Sequence, residues 1–414
     1  MARVRVVPRA TSRLVRLLWV AERRTFRQGL IALGLSTLAG FVAGLTLGHL
    51  ASRLETFPGL LTLIPAAVGM KGTVFGAVGA RLGTANAAGT FEPTLRRGSV
   101  LRRNVDVAVV TSFGSSVWLS VLARVTSAVL GQRSVPLPTL IVISVVGGAI
   151  GAATVLLATV TLAVASHPRG WDLDAVATPL VTALGDVTTL PALLFATSLT
   201  HNADSSMPLA LLCLIVAGIG TVVPLVRGGR EVRRITRQMT GVIAITPLLD
   251  VAAGGLLRVH EAQLVATPAL LAVLPPFVSQ TGALGGIFAS RLSSKLQLGL
   301  AEARARLSRP ALVDVGLVGA LSGTVFLGIG LVGWALASWT GLAGGLAVVG
   351  VVLLAGAVVT PLAIATGGTL AVATLRLGLD PDDQTVPVLT SVMDLAGVGC
   401  VLAVAAWMGM LAHG

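Results

Sequence analysis

The sequence predicts an all-α polytopic membrane protein of about eleven transmembrane helices, arranged as two parallel five-helix repeats joined by one linker helix. Three observations lead there. Of 414 residues, 54% are hydrophobic and 11% charged, whereas a soluble domain carries about 25% charged residues. The apolar runs are long and unalternated, with no Tyr and 4% aromatics, unlike the alternating segments and aromatic girdles of a transmembrane barrel. The chain also repeats itself at a spacing near 210 residues, and such a period is read before any single motif.

Residues 1–27 are basic, and Leu14, Leu17, Leu18 and Trp19 among the arginines read as a cytoplasmic, interfacial amphipathic helix over 13–27. The apolar run after it is longer than the core of a signal peptide and has no obvious cleavage site, so it is expected to be a retained first span. Runs long enough to cross a bilayer follow at Gly29–Leu50, Gly59–Ala80, Val105–Val129, Leu137–Ala165, Ala175–Leu199, Met207–Val226, Met239–Leu257, Pro268–Ser290, Ala311–Ser338, Leu342–Ala371 and Val386–Leu411. With the N-terminus cytoplasmic, 26 of the 30 Lys and Arg residues fall on the inner side, leaving Arg53, Arg124, Arg133 and Arg258. Positively charged loops stay inside, which predicts a multi-pass protein of the plasma membrane with its C-terminus outside. The net charge of +13 is thereby assigned to loops and not to nucleic-acid binding.

At an offset of 210, Arg27-Gln28 falls on Arg237-Gln238, Pro65 on Pro275, Gly72 on Gly282, Gly76 on Gly286 and Arg81-Leu82 on Arg291-Leu292. At 208, Asp106 pairs with Asp314, Asp172 with Asp380, Asp174 with Asp382, Pro179 with Pro387, Thr182 with Thr390 and Asp186 with Asp394. The expected units are 28–200, a linker span with its basic loop over 201–236, and 237–414. Five spans per unit would invert the second copy, as in many transporters. The extra span Met207–Val226 restores a parallel arrangement, a pseudo-dimer within one chain about an axis normal to the membrane, and the protein is expected to be a monomer.

A charge in hydrocarbon costs about 2.5 to 3.5 kcal/mol or more, so an intramembrane acid is a functional candidate. Asp186 and Asp394 each end a Pro, Thr, Asp series at i, i+3 and i+7, one helical face that offers a carboxylate, the Thr182 or Thr390 hydroxyl, and carbonyl oxygens released by proline. Two such faces opposed would supply a charge of −2 and hard oxygen ligands for a divalent cation such as magnesium, the transported species. The alternative is a hydrogen bond from each Asp to a neighbouring hydroxyl or to Lys71. Asp250 is matched by Gly40, an asymmetry that suggests coupling or an ion pair with Lys71, against a structural acid or a snorkelling lysine. Asp172, Asp174, Asp380 and Asp382, with Asp383, precede the fifth spans and are either N-caps or a cytoplasmic vestibule attracting cations. Asp106 and Asp314 share that ambiguity. Cys213 and Cys400 lie in apolar runs and suit neither a disulfide framework nor a metal site.

The strings Leu63-Ile64-Pro65-Ala66-Ala67-Val68-Gly69-Met70-Lys71-Gly72, Ala80-Arg81-Leu82-Gly83-Thr84 and Ala177-Thr178-Pro179 through Asp186 resemble the MgtE family of magnesium transporters. They are most similar to its fused-repeat relatives among the solute carriers, over residues 25 to 412. The resemblance implies cation transport through a central pore with Asp186 and Asp394 as ligands. This sequence departs from it at Thr73 and Ala283, where the family often has Asn. The segment before Gln28 is too short for the family's soluble magnesium sensor, so gating by such a sensor within this chain is not expected. A sodium- or proton-coupled transporter of another small solute is the competing reading. No H-E-x-x-H, G-x-S-x-G or P-loop pattern occurs, so no enzyme activity is predicted. No cofactor is expected, and the partners are the lipid bilayer and divalent cations.

Overall fold

The computed structural model describes residues 22–43, 60–129, 131, 134–200, 203–301, 309–340 and 345–411. The amphipathic N-terminal segment up to residue 21 lies outside them. Eleven helices long and apolar enough to cross a membrane are present, and the described residues contain no strand. They are α1 Glu22–Ala43, then α2 Leu60–Ala87, α3 Val100–Val129, α4 Leu137–Arg169, α5 Leu173–Ser198, α6 Ala203–Arg227 and α7 Gly229–Val259. A six-residue helix α8 Glu261–Ala266, absent from the sequence expectation, precedes α9 Pro268–Gln297, α10 Arg309–Thr340, α11 Ala347–Arg376 and α12 Pro381–Trp407.

Several helices outrun their apolar stretch at the end that carries the basic loops: α2 and α9 continue past Ala80 and Ser290, and α7 begins before Met239. Arginine, lysine and glutamine favour helix almost as strongly as leucine, so the helix continues where the hydrocarbon pattern stops. The α4–α5 turn is short because Gly170 takes the left-handed conformation that ends α4. Asp172 then caps α5, its carboxylate accepting from the Ala175 N–H at 3.2 Å. Asp380 does the same for α12, accepting from the Asp382 N–H at 3.1 Å, so the N-cap alternative holds for both.

The two helices at the centre are α2 and α9, whose apolar windows are 83% and 78% buried, against 17% for α6. α2 packs on α3, α4 and α5, and α9 on α10, α11 and α12. The first helix of each half leans on the other half: Leu33 and Phe41 of α1 join the core around α9 and α12, while Ile243 and Val251 of α7 pack into the core around α2 and α5. α6 rides outside on α3 and α4 through Ala210, Cys213 and Ala217. That stripe of small residues permits close helix approach, and Leu211, Ile215, Ile219 and Val222 are left exposed on its other side.

Matched residues make matched bonds. The Asp172 N–H donates to Gln28 Oε1 at 2.9 Å and the Asp380 N–H to Gln238 Oε1 at 3.4 Å. Arg81 Nε donates to Asn104 Oδ1 at 2.6 Å and Arg291 Nε to Asp314 Oδ1 at 2.8 Å. The second pair corrects the sequence register: Asp314 takes the role of Asn104, not of Asp106, whose carboxylate instead accepts from Arg102 one turn away at 3.1 Å. The 210-residue offset therefore persists into the third helix of each half. Thr84 and Ser294, 210 positions apart, bond to each other at 2.9 Å.

Candidate functional site

A cavity of about 230 Å³ opens at the meeting of α1, α2, α5, α7, α9 and α12. Its wall is built in matched pairs: Ile64 and Leu274, Pro65 and Pro275, Val68 and Val278, Gly72 and Gly282, Thr182 and Thr390, Asp186 and Asp394. Asp250 completes the acidic side chains on it. Five of the sequence candidates, on three helices and spread over 212 positions of the chain from Thr182 to Asp394, thus share one space. Ala175 and Asp383, whose carbonyls Pro179 and Pro387 release, are not among its lining residues, so those carbonyls are not what furnishes it with oxygen. The face expected at i, i+3 and i+7 reaches the cavity only with its threonine and its aspartate.

The three carboxylates have different surroundings. Asp186 accepts a hydrogen bond from the Ser279 hydroxyl of α9 at 2.9 Å. Asp394 lies within electrostatic range of both Asp186 and Asp250. Asp250 is 2% exposed, neither of its oxygens has a hydrogen-bond partner, and its carboxylate packs directly on Gly69 of α2, where a β-carbon would force it to shift. Both threonines turn their hydrogens back onto the helix, Thr182 to the Thr178 carbonyl and Thr390 to the Pro387 carbonyl, each at 2.9 Å, which leaves hydroxyl lone pairs free to accept or to coordinate. Among the described residues no three His, Cys, Asp or Glu side chains converge as a closed metal cage.

Lys71 is not brought to these acids. Its ammonium donates to the Gly148 carbonyl of α4 at 2.7 Å and lines a separate small recess with Ser115, Ser116 and Thr189. The charge is buried at 6% exposure and is answered by a carbonyl dipole, not by the carboxylate of Asp250.

At the end of α2 and α9 that carries the basic loops, the fifth-helix acids are engaged in a polar layer and do not form an open vestibule. Arg291 donates to both oxygens of Glu22 at 2.9 Å, to Asp314 and to Asp172, and Lys295 reaches Asp314 at 2.6 Å. Arg81 pairs with Asp383. Asp174 accepts from Ser290 and Ser294, both at 2.8 Å, and Asp382 from Ser293 and, at 3.0 Å, from Gln297. Most of these bonds join one half to the other.

Sequence reasoning counted Arg81 and Arg291 as loop charge, yet each is 7% exposed. Their repetition as Arg-Leu in both halves, inside a helix, was the available signal. Ser279 left no such trace, since its matched position is Gly69.

A family model described as MgtE, divalent cation transporter, matches residues 64–196 and 274–404. The two matches run from α2 to α5 and from α9 to α12, and each includes one aspartate and one threonine of the cavity wall.

Proposed function

Because the chain belongs to the MgtE family of divalent cation transporters, a transporter family and not an enzyme family, we propose that magnesium crosses the membrane through the cavity between the two halves, with Asp186 and Asp394 as its paired ligands. The observation that carries this reading is that two aspartates at matched positions of the two halves line one space together with their matched threonines.

Two carboxylates balance the charge of one divalent ion. Magnesium gives up its water reluctantly, prefers octahedral oxygen ligation and takes one or two carboxylates. The cavity offers about 230 Å³, many times the roughly 10 to 15 Å³ that a single water requires on the same measure. A partly hydrated ion fits, held by Asp186 and Asp394 directly or through water, with Thr182 and Thr390 accepting from its water shell. The halves are read as parallel repeats about a pseudo-two-fold axis along the membrane normal. The Thr84–Ser294 contact between matched positions and the paired glutamine bonds support that axis. The engaged polar layer at the loop end marks a closed path on that side, and transport requires its cross-half bonds to part. The protein is read as a plasma-membrane monomer with a cytoplasmic N-terminus.

Flux of magnesium into proteoliposomes tests the assignment. Asp186→Asn and Asp394→Asn are each expected to lower the rate at least about tenfold, the smaller end of what loss of a metal-orienting group costs, and the double variant is expected at background. Wild-type flux from both single variants, with unchanged melting temperature, removes the central site.

A further inference from the structure

Lys71 carries a buried charge for which the central cavity gives no account. Its ammonium has three hydrogens to donate, and its hydrogen bond goes to the Gly148 carbonyl at 2.7 Å. Among the described residues no carboxylate pairs with it. Buried charges are ordinarily paired, because a single carbonyl dipole does not return what burying an ion costs. Thr189 of α5, fully buried, lines the same small recess, and its hydroxyl has no partner.

The recess lies among α2, α3, α4 and α5, inside the first half. The Lys71 nitrogen and the Thr189 hydroxyl oxygen each stand 3.7 Å from the point that a β-carbon on Gly151 would occupy, so both reach into one space. Ser115, Ser116 and Ser144 complete its polar wall. Their hydrogens are spent on main-chain carbonyls, those of Ser115 and Ser116 on Ser112 and that of Ser144 on Ser116. The free donors at the recess are therefore the remaining ammonium hydrogens and the Thr189 hydroxyl. The volume is about 10 Å³, and a single water requires roughly 10 to 15 Å³ on that measure. Phosphate, sulfate and carboxylates are too large for it.

The second half has lost the whole set. At the offset of 210, Lys71, Ser115 and Ser116 fall on Thr281, Val325 and Phe326, and at 208 Ser144 and Thr189 fall on Val352 and Gly397. The glycines show that these positions correspond in space: a β-carbon on Gly148 would strike Ser116, and one on its match Gly356 would strike the Phe326 ring. Where the first half has a hydroxyl-lined recess, the second is thus filled by an aromatic side chain. The ammonium and four hydroxyls, on four helices, change together, which the packing of any one helix does not explain.

We propose that Lys71 and Thr189 bind one monatomic anion, a halide such as chloride, in this recess. The anion accepts from the ammonium and from the Thr189 hydroxyl, and it cancels the buried charge. A water molecule would satisfy Thr189 but leave that charge standing. Gly72, the next residue, lines the central cavity, so an uncancelled ammonium would stand behind the wall of a cation path and oppose the ion there. That last point rests on the central cavity as the path; the donor surplus and the size of the recess do not.

The test is equilibrium dialysis of radiolabelled chloride against the purified full-length protein, with gluconate holding the ionic strength constant. Above the diffuse binding to the basic loops, wild type is expected to show one saturable site per chain, competed by bromide. Lys71→Met should abolish it. Thr189→Ala should weaken it about tenfold, as loss of a hydrogen bond to a charged group does, and Thr189→Ser should restore it. That pair decides the matter if Lys71→Met does not fold. Asp186→Asn should retain the site, so failure of the paired-aspartate reading does not imitate failure of this one. No saturable binding in wild type overturns the proposal and leaves the recess to water. Binding unchanged in Lys71→Met, or in Thr189→Ala, overturns it as well.

Discussion

On α1 the position facing the cavity is Gly40, where a β-carbon would stand 2.9 Å from the Pro276 Cα; on α7 its match is Asp250, set against Gly69. The two halves thus differ in steric room as well as in charge. The atoms that fill the space beside Gly40 are the N, Cα and Cβ of Pro276, which an alanine would place there as well, so the close approach of α1 to α9, and not the proline ring, leaves no room for a side chain at residue 40. The exchange at Gly69 and Ser279 acts twice: glycine admits Asp250 on one side, and serine donates to Asp186 on the other. The aspartate and threonine pairs on the cavity wall are alike in the two halves, whereas Gly40 and Asp250, and Gly69 and Ser279, on the same wall differ.

The sharpest way to break that comparison is at the two buried arginines. Among the described residues Arg291 holds Glu22, Asp172 and Asp314, whereas Arg81 holds one acid, Asp383, besides Asn104. Removing one member of a buried pair strands its partner's charge and costs about 3 to 5 kcal/mol. Arg291→Gln is expected to reach that range, with Lys295 retaining part of Asp314, and Arg81→Gln to cost less. Unfolding in detergent measures both, and equal losses would mean that the layer does not discriminate between the halves.

A smaller effect is expected from making the halves alike at one position. Ser279→Gly removes a single bond to Asp186 and should cost about 1 to 3 kcal/mol, read as weaker divalent protection against unfolding. Gly69→Ser drives a side chain into Asp250 and should be worse. The reverse order would show that Asp250, not Ser279, has the freedom to move.

The smallest effect on transport is expected at Lys71→Met. The loss of its bond to Gly148 should lower stability by roughly 1 kcal/mol and leave magnesium flux unchanged. A large fall in flux would return Lys71 to the ion path.

Helix number and the cavity acids were legible because hydrophobic run length and a duplicated Pro, Thr, Asp face are properties of the chain itself. The same holds for Asp172 and Asp380 as caps, which depend on local backbone. What was hidden depends on which helices face each other. Lys71 and Asp250 are both intramembrane charges, and nothing along the chain reveals that α2 turns Lys71 toward α4 while presenting Gly69 to α7. The serines on Asp174 and Asp382 were invisible for the same reason, as was the crossing of α1 and α7 onto the opposite halves. The Asp106 and Asp314 match failed because identity of residue type was followed at the cost of register, where the arginine bonds show position 104 to be the equivalent.

α6, with its exposed leucines and isoleucines and its single packed stripe, also has a consequence for assembly. As a covalent tether it makes the meeting of the two halves an intramolecular event, with an effective local concentration in place of a dissociation constant. The contact between them is therefore released from the need to be adhesive. It can carry four carboxylates, Glu22, Asp172, Asp174 and Asp383, against the arginines Arg81 and Arg291, a charge imbalance that would weaken an encounter between separate chains. Such a seam can part and reclose many times without the halves ever being lost to one another.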